Sequence, residues 1–396
     1  MTFLYGCSRT VCRSSRAAAI LVLAAARISA QSVDRSPLPS PTGEHAVGRT
    51  QFDWIDESRA DPDNPTRHRE IVVWVWYPAT VEPGAATAEW MPGKWGDVFA
   101  SEYSKAHPAT TAPSHLGSIR SHAYTDAATA RSLRQYPVIL FAPGLGTTPL
   151  DYSTIVEDIA SHGYVVIGVV SPDFARASVF ADGRVVPGHD PVQLAARGGA
   201  RPSTALAIRA FEDAVRGVSK DLSFALNQLA SVGKSPLKGS LDVTRVGVFG
   251  HSLGGAAALQ CAHDDPRVRA VFDIDGSPIW SDQNGPLRKP VLVLSAASTN
   301  LNYDAVLDGA APALHLRLAG TVHSFSSDIR VMPFSPQAAS NARSAGESTP
   351  PARALRVTAA YLIAFFNQHL NDHREPLLNG PSAEYPEIAF ERGVSR

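Results

Sequence analysis

Gly250-His251-Ser252-Leu253-Gly254 is the stretch of this chain best suited to chemistry. It follows an apolar, β-branched run containing Val246, Val248 and Phe249, and it precedes a run of Ala and Leu with good helix propensity. A G-x-S-x-G motif between a strand and a helix forms a nucleophile elbow, a sharp turn that exposes the serine hydroxyl. A Cβ at 250 or 254 would crowd the backbone of such a turn, so both glycines have a steric reason to be there. Ser252 then stands at a helix amino end, where free N–H groups and the dipole favour an anion. Those are the requirements of acyl transfer. The competing reading is a bare Gly-rich turn, and the flanking strand and helix weigh against it.

A serine hydroxyl is a weak nucleophile at neutral pH and needs a base, itself oriented by a carboxylate. On an elbow of this kind the partners follow in the order serine, acid, histidine. That order removes most of the 13 histidines. His263 ends the elbow's own helix, His315 sits inside a strand, and His369 and His373 belong to the final helix and its exit. His323 remains, on a loop where Gly320 lets the chain turn. For the acid, Asp275 closes the strand Ala270-Val-Phe-Asp-Ile-Asp-Gly276, while Asp304, in the loop after the next strand, stays open as the alternative. Asp273, between Phe272 and Ile274, reads as a structural hydrogen-bonding residue. The developing oxyanion needs backbone donors, expected from the N–H groups of Leu253 and of Leu145, where Gly144 and Gly146 allow close approach. One such donor is worth about 3–4 kcal/mol in other hydrolases.

The elements that must hold these residues alternate along the chain. Val47–Trp54 and Glu70–Tyr77 are strand candidates around the loop 61–65, and the second is too continuously apolar for an exposed edge. Residues 80–134 lack a clear period and read as an irregular insertion or cover over the site. Pro137–Phe141 is a buried strand, Tyr152–Ser161 a helix and Tyr164–Val170 another buried strand, which implies parallel pairing with a right-handed crossover. Residues 171–202 are loop-like, with a turn at Asp182-Gly183. Ala205–Leu229 is one long helix or two in series. Strands at Val268–Ile274, Pro290–Ser295 and Leu314–Leu318 follow the elbow, and Ala354–Leu370 is an amphipathic helix on the flank. No internal repeat is visible. This order specifies an α/β-hydrolase fold: a mainly parallel central sheet with helices on both faces, spanning residues 46–396 as a single domain.

Residues 1–30 stand apart. Arg9, Arg13 and Arg16 precede the apolar run Ala17–Ala26, too short to span a bilayer, and Ile28-Ser29-Ala30 offers a small-residue cleavage site. This is the pattern of a secretory signal peptide, with an uncleaved anchor as the rival, and 31–45 reads as a flexible leader. Later segments contain no 18-residue apolar run, so the expected protein is soluble and exported, to the periplasm or outside the cell. The first 30 residues carry four of the 36 basic residues and none of the 37 acidic ones, leaving 32 against 37. With that balance and no basic stripe, nucleic acid is not an expected partner. Cys7 and Cys12 leave with the leader, and Cys261 alone makes no intramolecular disulfide. No cysteine and histidine cluster suggests a metal, and no cofactor is expected.

Taken together, Trp76-Tyr-Pro-Ala79, Phe141-Ala-Pro-Gly-Leu-Gly146, Ala160-Ser-His-Gly-Tyr164, Asp182-Gly-Arg-Val-Val186, Gly250-His-Ser-Leu-Gly-Gly255 and Val322-His323 resemble the secreted platelet-activating factor acetylhydrolase family, its bacterial members included. The resemblance runs over most of residues 46–390. It implies a calcium-independent serine esterase that removes short or oxidised acyl groups from phospholipids or cleaves other small esters, with transient contact to a lipid surface. It also implies that Asp275 rather than Asp304 is the acid, that His323 is the base, and that Leu145 and Leu253 are the oxyanion donors. Bacterial relatives are often labelled dienelactone hydrolases, but that chemistry uses a cysteine nucleophile and Ser252 argues against it. Two departures bear on substrate preference. His323-Ser-Phe325-Ser-Ser-Asp328 spaces its phenylalanine and aspartate differently from the family, and Ser171-Pro172 replaces an acidic residue and histidine. The expected function is an exported serine carboxylic ester hydrolase working through an acyl-enzyme. The alternatives are a lipase or a polyester (cutinase-like) hydrolase with the same residues, and a non-catalytic binding scaffold, since folds do not fix functions.

Overall fold

Long β-branched runs with no polar interruption can satisfy their backbone only inside a sheet covered on both faces. Val165-Val-Ile-Gly-Val-Val170 is such a run, and Val291-Leu-Val-Leu294 continues the pattern before Ser295; every residue from 165 to 170 and from 291 to 296 is buried. They are central strands of an 11-stranded sheet in a computed structural model. The structure describes residues 36–62, 64–107, 116–189, 204–229, 237–278, 285–335 and 347–392. The signal segment expected at 1–30 and residues 31–35 of the leader expected at 31–45 lie outside them; the rest of that leader is packed rather than flexible, with Leu38 buried and the Thr42 N–H donating to Asp158 Oδ1 at 2.6 Å, and Ser36–Arg396 forms one contact-continuous unit.

In chain order the elements are β1 (Ala46–Ala60), β2 (His68–Thr80), α1 (Lys94–Ala106), β3 (Ala123–Thr125), β4 (Ala128–Thr129), β5 (Tyr136–Ala142), α2 (Ser153–Ser161), β6 (Val165–Val170), β7 (Ala177–Val179) and β8 (Val185–Pro187). There follow α3 (Thr204–Gln228), β9 (Leu241–His251), α4 (Leu253–Asp264), β10 (Val268–Ile274), β11 (Val291–Ala296), α5 (Asp304–Leu307), β12 (Ala313–Leu318), α6 (Pro351–Leu370) and β13 (Ile388–Arg392). The main sheet runs β13-β12-β11-β10-β9-β5-β6-β2-β1-β3, with β4 beside β2. From β6 through β12 all neighbours are parallel. The flanks are antiparallel at β2 with β6, at β1 with β2 and at β12 with β13.

Side chains alternate across each strand, so the sheet carries two cores. Val72, Trp74 and Trp76 of β2 face the side packed by α2 and α6, while Ile71, Val73, Val75 and Tyr77 face the side packed by α3 and α4. The described residues contain no helix long and apolar enough to cross a membrane.

The structure refines the reading from sequence at four places. Residues 80–134 are not wholly irregular: they include the 13-residue helix α1 and the strand β3 that caps the sheet beyond β1. The turn at Asp182-Gly183 joins β7 and β8 into a hairpin, so 171–189 is more than a loop. Ala205–Leu229 is one helix, not two. Last, β13 adds an antiparallel edge strand that the sequence reading did not assign.

The sheet positions Ser252 through a close contact of backbones. Ser252 adopts φ 57° and ψ −119°, a left-handed conformation that a non-glycine residue holds only when its surroundings impose it. An added Cβ at Gly250 would lie 2.1 Å from the Gly254 carbonyl oxygen, and one at Gly254 would lie 2.1 Å from that of Ala142 on β5. No side chain can yield there, because the obstacles are backbone. Gly250→Ala should therefore lower unfolding free energy in urea by roughly 1–3 kcal/mol or more. An unchanged midpoint would contradict this packing.

Candidate active site

Three strand ends converge over the elbow. The Ser252 N–H donates to the Ile274 carbonyl at 2.9 Å, which ties the elbow to the end of β10. Asp275 follows at once with φ 51°, so its side chain turns back toward the neighbouring loops. Its own N–H donates to the Leu294 carbonyl at 3.0 Å. After β12 the chain reverses at Gly320, φ 62°, and reaches His323. Phe325, buried, anchors that loop below, and both carboxyl oxygens of buried Asp328 accept the Thr154 N–H at 3.3 Å near the start of α2.

His323 Nε2 lies 2.9 Å from Ser252 Oγ, and its Nδ1 lies 2.6 Å from Asp275 Oδ2. The imidazole is half exposed, whereas the Asp275 side chain is fully buried. Burial alone would push the Asp275 carboxyl up. Hydrogen bonds from His323, from the Ala296 N–H at 2.8 Å and from the Thr299 hydroxyl at 2.8 Å more than offset this and hold it below the usual carboxylate range. The group is therefore an anion at neutral pH, able to keep a proton on Nδ1 and leave Nε2 bare to face the hydroxyl. Asp304 is exposed at the start of α5, where its N–H donates to the Asn302 side-chain oxygen at 2.7 Å, and it is not the carboxylate brought to His323.

Asp273 sits under the elbow. Its Oδ1 accepts the Gly276 N–H at 2.8 Å, and a Cβ at Gly255 would lie 2.0 Å from that same oxygen. Burial, reinforced by the charge on Asp275, pushes its carboxyl up to about 8 despite the Gly276 hydrogen bond. It is thus neutral where Asp275 is charged.

The expected oxyanion donors belong to the first turn of α4 and to the loop that leaves β5. Leu253 is the first residue of α4, whose opening N–H groups have no carbonyl within the helix to bond. Leu145 lies between two glycines whose N–H groups are engaged, Gly144 with the Tyr152 hydroxyl at 3.3 Å and Gly146 with the Phe174 carbonyl at 2.7 Å. Beside Leu145 opens a cavity of about 400 Å³, lined by Phe99, Tyr103, Phe174, Arg176 and Ile329 among others. Phe99 and Tyr103 come from α1, so this part of the insertion forms one wall. The Arg176 guanidinium lies over the Phe99 ring at 4.7 Å and pairs with Asp151 at 2.6 Å. Behind Phe174, buried Asp173 pairs with Arg69 of β2 at 2.6 Å and fixes the segment in place.

Sequence reasoning did not find Thr299, Tyr152 or the cavity wall. The wall had a signal in the four-residue spacing of Trp95, Phe99 and Tyr103; Thr299 had none. Among the described residues no group of three or more His, Cys, Asp and Glu could hold a metal ion.

Comparison with known proteins gives the arrangement a context. The family model described as platelet-activating factor acetylhydrolase, isoform II, matches residues 30–182 and 221–379. A probable 1-alkyl-2-acetylglycerophosphocholine esterase of Arthroderma benhamiae is 29% identical over 388 residues, covering 89% of this chain and 93% of that one. A platelet-activating factor acetylhydrolase of Bos taurus is 24% identical, covering 68% of this chain and 62% of its own length. Among solved structures, a ferulic acid esterase from Streptomyces cinnamoneus superposes with a TM-score of 0.69 at 27% identity, over 90% of this chain and 99% of that one.

The neutral carboxyl beneath the elbow gives a pH prediction. Asp273 has a folded pKa of about 8 against about 3.9 unfolded, so the folded state holds its proton more tightly. Stability from this group is complete below about pH 4 and is lost as pH rises toward about 8. Asp273→Asn, which fixes a neutral side chain, should gain on the wild type in urea denaturation as pH rises across that window. A difference independent of pH would refute the assignment.

Proposed function

The chain belongs to the platelet-activating factor acetylhydrolase isoform II family and is an ester hydrolase; from that premise we propose that Ser252 is the nucleophile, His323 the general base and Asp275 the acid of an acyl-transfer reaction. The observation that carries this reading is the unbroken chain from Ser252 Oγ to His323 Nε2, 2.9 Å, and from His323 Nδ1 to Asp275 Oδ2, 2.6 Å.

In this mechanism Ser252 Oγ attacks the ester carbonyl as His323 Nε2 takes its proton. The Asp275 carboxylate holds the imidazole in the required tautomer and stabilises the imidazolium. The Leu145 and Leu253 N–H groups receive the carbonyl oxygen as it becomes an anion. His323 then protonates the departing alcohol, and an acyl-Ser252 ester remains. Water, deprotonated by His323, attacks that ester; the acyl–Oγ bond breaks, His323 returns the proton to Ser252 Oγ, and the carboxylic acid is released.

The substrates we assign are short-acyl or oxidised phospholipids and other small esters. Supporting this are the relatives named as a probable 1-alkyl-2-acetylglycerophosphocholine esterase and as a platelet-activating factor acetylhydrolase. A second reading, esters of aromatic acids, draws on the ring lining of the cavity beside Leu145, Phe99, Tyr103 and Phe174, and on the likeness to a ferulic acid esterase. Residues 1–30, with their basic start and apolar Ala17–Ala26, are read as an export signal.

Nitrophenyl esters of graded chain length and a hydroxycinnamate ester, each compared with a short-acyl phospholipid, test the substrate class. A preference for short aliphatic acyl groups is expected, and a preference for long chains would overturn it. For the chemistry, Ser252→Ala should abolish turnover, and Asp275→Asn should lower kcat by about 10⁴-fold while Asp304→Asn leaves it nearly unchanged. A large loss at 304 with little at 275 would move the acid.

A further inference from the structure

His251 takes no part in the proton transfers above, yet it is buried between the two loops that must meet over Ser252. Its Nε2 lies 2.8 Å from the main-chain carbonyl of His323, and its Nδ1 lies 2.8 Å from the Tyr152 hydroxyl. A carbonyl only accepts, so Nε2 carries the hydrogen. In the neutral ring Nδ1 is then bare and accepts the Tyr152 O–H. The Tyr152 oxygen accepts the Gly144 N–H at 3.3 Å, with Thr147 Oγ also 3.3 Å away while that hydroxyl donates to the Gly144 carbonyl at 2.6 Å.

The hydrogen bonds therefore run one way, from the Gly144 N–H through Tyr152 and His251 to the His323 carbonyl. Neutrality of His251 is required for that direction. Burial, aided by the neighbouring His323, pushes its pKa down to about 4. Contact is close as well: a Cβ at Gly144 would lie 2.9 Å from His251 Nδ1, and the rings of His251 and His323 are 4.8 Å apart.

We infer that His251 and Tyr152 are positioning residues that fix the loop carrying Leu145 relative to the loop carrying His323. The half-exposed His323 ring has little packing of its own, so its place depends on the carboxylate at Nδ1 and on where its backbone is held. His251 holds that backbone. Through Tyr152 the same side chain holds Gly144, next to the expected oxyanion donor. The hydroxyl, its base and the oxyanion N–H thus keep one geometry before any ester arrives. This inference rests on the acyl-transfer reading of Ser252 and extends it to two side chains that touch neither substrate nor the transferred proton.

The test is steady-state kinetics of the full chain on a short-acyl nitrophenyl ester, with thermal melting to verify folding. The variants are Tyr152→Phe, His251→Phe, their double variant, and His251→Gln, which keeps an N–H near the position of Nε2. Each Phe variant should lower kcat by about 10- to 100-fold with KM little changed. The double variant should be no slower than the slower single one, because both break the same chain. His251→Gln should recover much of the loss. Wild-type kcat in both singles, multiplicative losses in the double, or no recovery with Gln would overturn the inference. If His251→Phe does not fold, Tyr152→Phe and His251→Gln decide the matter by the same criteria. Absence of turnover by the wild type would overturn the acyl-transfer reading together with this one, whereas variants matching an active wild type would overturn only this one.

Discussion

A fully buried carboxylate survives as an anion only if donors replace the water it has lost. For Asp275 those donors come from different strand exits: the Ala296 N–H and Thr299 hydroxyl after β11, and His323 after β12. Its own backbone is held to Leu294, and the residue before it holds the Ser252 N–H. One charge therefore ties together the ends of β9, β10, β11 and β12. Were it unpaired, burial would neutralise it, and the imidazole would lose both its orientation and its anionic partner. Directly beneath, Asp273 meets the same burial with the Gly276 N–H on one oxygen and no donor on the other, and stays protonated. Two carboxyls two positions apart, on the strand and the loop, are thus one neutral and one charged, set by environment alone.

Strain is gathered at the same edge of the sheet. Ser252 and Asp275, non-glycine residues with positive φ, stand just past the carboxyl ends of parallel strands, and Gly146 and Gly320 turn the loops that leave two others at no such cost. In open α/β sheets that edge is where ligands bind. The strain is tolerated because rigid backbone lies on both sides: β5 presses on the elbow at Gly254, and α4 begins at once behind Ser252. The cover is built differently. α1 and the β7–β8 hairpin are short elements pinned by side chains, such as Gln51 donating to the Val179 carbonyl and Lys94 to that of Gly183.

The central strands and main helices were legible because their signal is local: β-branched runs of six or seven residues, or apolar residues at three- and four-residue spacing. Val268–Ile274 was read with its observed ends. The elbow was legible because only glycine fits at 250 and 254. Chain order narrowed the histidines to His323. What escaped depends on distant partners. β13, Ile388-Ala-Phe-Glu-Arg392, has only five residues and alternating burial, and it is a strand because β12 offers an open edge. β3 has three residues and exists by pairing with β1. Thr299 and Tyr152 matter through single hydrogen bonds to residues 24 and 99 positions away, which no periodicity encodes. Chain order admitted both Asp275 and Asp304, and the strand end before Gly276 together with the family resemblance favoured Asp275; the positive φ at 275, which turns its carboxylate toward His323, had no signal in the sequence.

On the acyl-transfer reading, one hydroxyl, Ser252 Oγ, is made nucleophilic by His323. The most direct test is peptide mapping by mass spectrometry after reaction with a fluorophosphonate. A single covalent adduct on Ser252 is expected, absent from Ser252→Ala. An adduct on another residue, or wild-type protein left unmodified although folded, would contradict it.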